Sequence, residues 1–294
     1  SNPLSVAPDS SRVRKGLERT DLFTIVHEQV MTPTARYADL LLPSTTSFEN
    51  SDVYTAYGHF QMGVTQPVIL PVGEALSNFD LFQTLAKKMG YTDPPFQQTV
   101  DERIGAYLNG LAGIDKSINP STIEAGKWVS SIHADADHPK NKDMFHFVSQ
   151  KTEAGVPAFA CIRPPLEFDN PDLKSRYPLK LITPPATHLL NSTFGECFPN
   201  EIGKLLIHPR DAFPRKISTG DRLRLNNHRG ETIREAWVTE DTQPGLVVAE
   251  GIYWENAASA LTAINDLTSQ KTTDLGGGST FHEARVEITR VSED

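Results

Sequence analysis

Leu179-Lys-Leu-Ile-Thr-Pro-Pro-Ala-Thr-His-Leu-Leu-Asn-Ser-Thr-Phe194 opens the stretch that decides the fold, and that stretch runs on to Glu287. Its texture is short strands punctuated by turns. Leu179 to Thr183 and Leu205-Leu-Ile-His208 are two of them, and His208-Pro-Arg-Asp-Ala212 carries a helix start signal. Gly220-Asp221 is a turn, and Arg222-Leu-Arg-Leu-Asn226 alternates as a half-buried strand does. Arg229-Gly230 turns the chain into the strand from Glu231 to Thr239. Pro244-Gly245 is a type II turn before Leu246-Val-Val-Ala249, and Arg285-Val-Glu-Ile-Thr289 closes the set. Short strands with regular turn signals predict a closed barrel or a sandwich.

Upstream the grammar is different. Pro8-Asp9-Ser10 starts a helix on which Val13 and Leu17 share a face. Leu22-Phe-Thr-Ile-Val26 is a nearly continuous apolar run, and Leu40-Leu-Leu42 is another, stopped by Pro43. Both suit strands buried on two faces, as in a parallel α/β sheet. Ser77-Asn-Phe-Asp80 is a capping box for a helix whose Phe79, Phe82, Leu85, Ala86 and Met89 predict a core-facing stripe ended by Gly90. A further helix is expected over about residues 97–111. The prolines between 126 and 176 predict an irregular connector. The expected organisation is an α/β domain over 1–125, a connector over 126–176 and an all-β barrel over 177–294.

The bulk properties exclude several function classes. A formal net charge of −9 over 294 residues disfavours nonspecific contact with nucleic acid or anionic membrane. The longest apolar runs are a few residues, far short of a membrane span. Cys161 and Cys197 form no C-x-x-C pattern and read as two unrelated thiols. His133, Asp135, Asp137 and His138 have the composition of metal ligands, but no helix or hairpin fixes their geometry, so a solvated loop is the better reading. No metal or catalytic residue is assigned. A Ser-His-Asp hydrolase ranks last because no G-x-S-x-G elbow is present.

Two segments carry a family resemblance. His27-Glu-Gln-Val-Met-Thr-Pro-Thr-Ala-Arg-Tyr-Ala-Asp-Leu-Leu-Leu-Pro-Ser44 is similar to the pattern E-x-x-x-T-x-T-A-x-x-A-D-x-x-L-P, with Glu49 following as expected. The set His208-Pro-Arg-Asp-Ala212, Gly220 to Leu225, Arg229-Gly230, Pro244-Gly245 with Trp254, and Asn265-Asp-Leu-Thr268 appears in family order. Together they resemble the C-terminal portion of the molybdopterin-dependent oxidoreductases, the dimethyl sulfoxide reductase and formate dehydrogenase group. The resemblance implies a partial Rossmann-like α/β domain followed by a double-psi β-barrel. It also implies a bis-molybdopterin guanine dinucleotide cofactor carrying molybdenum or tungsten. Whether this chain binds the cofactor alone stays open.

The resemblance places particular residues at that cofactor. Asn2 and His27 fall where the family faces guanine or its ribose, at strand ends of an α/β sheet. Thr183, His188, Asn191, Ser192 and Thr193 supply neutral hydrogen-bonding groups in one loop, with His188 against the pterin or its dithiolene linkage. Asn265 offers an amide for the pterin edge. Thr280, Phe281 and His282 follow Gly276 to Gly278, whose freedom lets them reach the ring system. The family's metal-ligating residue and any iron–sulfur cysteines belong to an N-terminal half that this sequence lacks. The chain is therefore expected to be redox-inactive alone. Its expected partners are that half and the cofactor, with an electron-transfer subunit as a further candidate. The cytoplasm is the expected compartment, with the periplasm as the alternative. The competing reading is a non-catalytic β-barrel module that recognises a protein partner. The two readings separate on whether the Thr183–Phe194 loop and Thr280–His282 meet on one open concave face.

Overall fold

Alternation writes the barrel. In the computed structural model, which describes residues 2–55, 57, 61–110, 128–130, 166–256, 262–273 and 277–291, six strands of the C-terminal stretch close on themselves. Numbered along the whole chain they are β6 (Leu179–Ile182), β7 (Lys204–Ile207), β8 (Arg222–Asn226), β9 (Glu231–Val238), β10 (Leu246–Ala249) and β11 (Arg285–Arg290). Their order around the barrel is β10-β6-β11-β8-β9-β7. The pairs β6–β10 and β7–β9 are parallel; the rest are antiparallel.

Every second side chain points inward, as the strand period requires. Leu179, Leu181, Leu205, Ile207, Leu223, Leu225, Val247 and Val286 are all buried in one apolar cluster. Closure leaves no free sheet edge, so the ladder groups are satisfied internally. The Pro244-Gly245 turn forms as the sequence indicates. Leu246 N donates to the Gln243 carbonyl at 3.0 Å, and Gly245 takes a φ of +82° that a Cβ would oppose. The short helix α6 (Pro209–Ala212) is capped by His208, whose Nδ1 accepts from Arg210 N at 3.1 Å.

The chain divides into two compact units. One contains Ser1–Leu41 with Ile162–Asp294; the other is Leu42–Cys161. The first 41 residues thus group with the barrel and not with the residues up to 125. The physical reason is a set of long-range polar contacts. Asn265 Nδ2 donates to the Ser5 carbonyl at 2.8 Å, and Arg14 pairs with Glu255 at 2.8 Å. These hold α1 (Pro3–Val6) and α2 (Ser10–Leu17) to the barrel loops.

The same unit includes α5 (Pro171–Arg176), whose N-cap Asn170 accepts from Asp172 N and Leu173 N, both at 3.0 Å. The expectation of an irregular connector through 176 therefore fails for residues 171–176, which form this helix. The remainder of that connector, with His133, Asp135, Asp137 and His138, lies outside the described residues apart from 128–130 and 166–170.

β1 (Ile25–Glu28) and β2 (Leu40–Pro43) form a two-stranded sheet. They are not buried on both faces: Ile25 is 57% exposed and Leu40 43%, and Phe23, just before β1, is 68% exposed. Among the described residues the sheet has these two strands alone, so an α/β sheet buried on both faces is not seen.

In the second unit β3 (Asp52–Thr55), β4 (Gln61–Thr65) and β5 (Trp128–Ser130) make an antiparallel sheet. Met62 and Val64 pack with Leu108 of α4 (Val100–Gly110). Thr99 and Glu102 form a reciprocal capping box at the start of α4. In α3 (Asn78–Lys88) Ser77 Oγ accepts from Asp80 N at 3.0 Å, as its sequence predicts. Its apolar stripe is not core, however. Ala86 is buried, while Phe82 is 60% and Met89 61% exposed. No helix among the described residues is long and apolar enough to cross a membrane.

Glu49 pins the loop that precedes α3. Its carboxylate accepts from Thr46 N at 2.6 Å and Val72 N at 2.8 Å. The Thr46 amide, then Val72, holds the carboxyl below the ordinary value of 4.5. A depressed carboxyl contributes stability above its unfolded pKa and loses it as pH falls through the folded one. Glu49→Gln at neutral pH, or acidification of the wild type below 4.5, is expected to lower the hydrogen-exchange protection factor of the Val72 amide, taken against the intrinsic rate at the same pH. Unchanged protection of Val72 in both cases contradicts the clamp.

Candidate functional site

Strand direction gathers the site. Because β6 and β10 run parallel side by side, the segments that leave their C-terminal ends emerge at the same end of the barrel. Because β11 is antiparallel to β6, the segment entering β11 arrives there too. The result is a cleft of about 380 Å³. Thr183, Pro184 and Asn191 come from the segment after β6, Gly251 and Ile252 from that after β10, and Phe281 and His282 from that before β11. Val6 of α1, with Ile264 and Asn265 of the 3-10 turn Ile264–Leu267, completes the wall.

Backbone contacts fix these segments to one another. Gly251 N donates to the Pro184 carbonyl at 2.9 Å, and a Cβ on Gly251 would stand 2.9 Å from that of Ala186. Thr183 N donates to His282 Nδ1 at 3.3 Å. That bond makes Nδ1 an acceptor and puts the ring proton on Nε2, so His282 keeps a donor for the cleft. Asn191 and Phe194 take positive φ values of 53° and 68°. Such left-handed residues cluster at ligand clamps because the surrounding structure must hold them there. The holder is Trp254, whose Nε1 donates to the Ser192 carbonyl at 2.7 Å and whose indole lies over Gly195.

The residues singled out in the sequence separate into three groups. Thr183, Asn191, Phe281 and His282 meet in the cleft, as does Asn265. The amide of Asn265 is already engaged. Nδ2 donates to the Ser5 carbonyl, Oδ1 accepts from Thr268 Oγ1 at 3.1 Å, and the residue is 2% exposed. It is a strut of the wall more than a free edge for a ligand.

The second group is turned inward. Ser192 is buried with its carbonyl taken by Trp254. Thr280 is buried and donates to the Lys271 carbonyl at 3.0 Å. Asn2 is buried too; its Oδ1 accepts from Thr34 Oγ1 at 2.6 Å and its Nδ2 donates to Ser5 Oγ at 2.9 Å.

The third group lies elsewhere. Thr193 is exposed outside the cleft lining, and His27 sits in β1, also outside it. His188 faces a second cleft of about 530 Å³ on the other side of the same loop. There its Nε2 is 3.3 Å from Tyr253 Oη and 3.6 Å from Glu201 Oε2, with Phe198 edge-on at 4.8 Å.

Sequence reasoning missed the residues behind the wall. Arg14 Nη1 lies 3.4 Å from Asp266 Oδ2, and Asp266 Oδ1 is buried without a partner. Burial pushes the Asp266 carboxyl up, against the lowering effect of Arg14. Only the polar turn Asn265-Asp266 hinted at this. Among the described residues no group of three or more His, Cys, Asp or Glu is placed to hold a metal ion. The cleft offers neutral donors and acceptors at the edges of apolar walls, which suits a flat heterocycle with polar rims.

Comparison with known proteins gives the family. Residues 187–285 match the family described as the molydopterin dinucleotide binding domain, and residues 1–88 match molybdopterin oxidoreductase. A probable oxidoreductase of Bacillus subtilis, YoaE, is 36% identical over 301 residues, covering 99% of this chain and 43% of that protein. Trimethylamine-N-oxide reductase of Haemophilus influenzae is 30% identical over 294 residues, covering 86% and 35%. Among solved structures, acetylene hydratase from Pelobacter acetylenicus superposes with a TM-score of 0.69 at 18% identity, over 99% of this chain and 43% of that one. That likeness concerns the fold. The chain spans less than half the length of these relatives. The chain belongs to the molybdopterin oxidoreductase family, the family of the dimethyl sulfoxide and trimethylamine N-oxide reductases and of formate dehydrogenase.

Proposed function

We infer that this chain is a cofactor-binding portion of a molybdenum or tungsten oxidoreductase that uses bis-molybdopterin guanine dinucleotide, and that it is redox-inactive by itself. The observation that carries the reading is the convergence of Thr183, Asn191, Phe281 and His282 on one open end of the barrel. A polar-rimmed heterocycle fits there: Thr183 and Asn191 offer hydrogen bonds at its edge, His282 Nε2 donates, and Phe281 with the two prolines gives it apolar faces. When bound, the metal–dithiolene group supplies the electron transfer. This chain's residues orient the ligand and keep water from one side of it. The two parallel pairs within a closed six-stranded barrel support its assignment as a double-psi barrel. The exposed β1–β2 pair is proposed as part of a Rossmann-like sheet completed by the remainder of a family-length protein. That remainder is also the proposed partner of the exposed Val68, Leu70 and Val72, which are 71%, 86% and 71% exposed.

The test is metal and nucleotide analysis of the protein expressed from its full reading frame, beside this chain. Molybdenum or tungsten with guanine nucleotide in the long form, and a tenfold or greater loss of nucleotide in the double variant Asn191→Ala/His282→Ala, is expected. Tenfold corresponds to about 1.4 kcal/mol, the size of one or two lost hydrogen bonds. A long form free of both, or a double variant that retains both fully, overturns the reading and leaves a barrel that binds a protein.

A further inference from the structure

Two cations face each other on the outer wall of the barrel. The register pairs Arg285 of β11 with Lys180 of β6, on antiparallel strands. Their neighbours Leu179, Leu181 and Val286 point into the core, so alternation sends both cations outward. Like charges directly opposite each other on paired strands are destabilising. Arg285 is also 3% exposed, because the segment before β6 roofs it. Its Nε and Nη2 donate to the Phe168 carbonyl at 3.0 and 2.6 Å, and its Nη1 to the Tyr177 and Pro178 carbonyls at 3.2 and 2.9 Å. Carbonyls satisfy the N–H groups but bring no counter-charge. Burial pushes the guanidinium below its ordinary value, and Asp169 acts against that shift without cancelling it.

The pair has open space beside it. A cleft of about 540 Å³ is lined by Lys180, Arg285 and Lys174 of α5. Among the described residues Asp169 is the one carboxylate in its lining. Three cations against one anion leave a local excess of positive charge, on a chain whose formal net charge is −9. Among the described residues neither lysine forms an ion pair. Lys180 Nζ instead stands 4.9 Å over the Phe168 ring, which is itself part of the wall. Ile182 and Leu246 extend that apolar wall, and Gln243 adds an amide. A concave surface lined by one sign of charge concentrates ions of the other sign. The volume is that of a small-molecule site, and the lining combines apolar walls with a few charged groups as such sites do.

We propose that this cleft binds a small organic anion, a carboxylate or phosphate carried on an apolar body, with its head group held by Lys174 and Lys180 in the field of Arg285 and its body against Phe168, Ile182 and Leu246. The cleft shares no lining residue with the one that holds Thr183 and His282, and the site does not depend on the function inferred there.

The test is a titration of the ¹⁵N-labelled chain with phenyl phosphate at constant ionic strength, followed at the amides of Lys180, Gly245 and Leu246. A saturable shift of these three signals is expected, while benzyl alcohol, which has the ring without the charge, leaves them in place. The double variant Lys174→Gln/Lys180→Gln is expected to bind about tenfold or more weakly, since it removes the two cations nearest the head group. A second arm uses guanosine diphosphate. Saturation at the same amides assigns a nucleotide phosphate as the source of the anion; silence there beside a response to phenyl phosphate assigns a free organic anion. Signals that phenyl phosphate does not move overturn the proposal, as does an equal response to benzyl alcohol, and both results come from the wild type without a variant having to fold.

Discussion

Truncating Glu167 to Ala is expected to lower the stability of the barrel-bearing unit by about 3–5 kcal/mol. Glu167 is 3% exposed, and its carboxylate meets Arg229 end-on. Arg229 Nη1 donates to Oε2 at 3.1 Å and Nη2 donates to Oε1. The two side chains are 4% and 10% exposed, so water screens little of the attraction. Without Glu167, Arg229 keeps one acceptor, the Leu267 carbonyl at 3.2 Å, and remains a buried charge with no counter-charge. The cost is that desolvation, and it exceeds the net worth of the pair. The double variant Glu167→Met/Arg229→Met, which removes both charges at similar volume, is therefore expected to recover most of the loss. Urea unfolding of Glu167→Ala and of the double variant, beside the wild type, measures this directly. A Glu167→Ala loss under about 1 kcal/mol would mean the pair is solvated and the segment from 166 to 169 is not anchored.

That anchor was invisible in the sequence, and the reason is physical. Proline content and scattered charge read as irregular backbone, and the backbone there is irregular. What ties it down is long-range. Glu167 pairs with Arg229 sixty-two residues on, and Arg285 donates from Nε and Nη2 to the Phe168 carbonyl. Local pattern carries no information about such partners. The barrel was legible for the opposite reason: Leu223 and Leu225 face inward because strand geometry alone sends alternate residues to one side. Arg234 is the exception on β9, where the same alternation puts a guanidinium inside.

The site shows the same division. Residue type told which side chains are polar but not where they point. Asn191 and His188 are three residues apart in one loop, yet they face different clefts. Asn2, Ser192 and Thr280 have the composition of ligand groups and spend it on the chain itself. The exposed stripe of α3 and the exposed β1–β2 pair carry apolar patterns that belong to buried elements. The expectation that both are buried fails among the described residues, because a pattern asks for cover but cannot say which segment provides it.

The second large effect is expected at Gly195, where adding a single methyl group should cost about 3 kcal/mol and dismantle the loop over the first cleft. A Cβ on Gly195 would stand 2.2 Å from Trp254 Nε1 and 2.4 Å from two indole carbons. No side chain tolerates that approach, so the indole must leave. The indole is what holds Ser192 through its bond to that carbonyl, and Ser192 follows Asn191, one of the strained residues of the loop. Gly195→Ala should therefore release Asn191 from its positive φ and withdraw it from the cleft, while the barrel ladder persists. The expected signature is a shifted Trp254 indole N–H resonance and faster hydrogen exchange over residues 189–197. Amides of β8 and β11 should keep their wild-type protection. Gly16→Ala is the matched control, because nothing lies within 4 Å of its added Cβ and α2 gains up to about 1 kcal/mol from alanine. The same substitution should thus change sign between a helix surface and the underside of an indole. A Gly195→Ala protein with an unshifted indole resonance and wild-type loop exchange would show that Trp254 does not brace the loop, and the strain at Asn191 would then need another source.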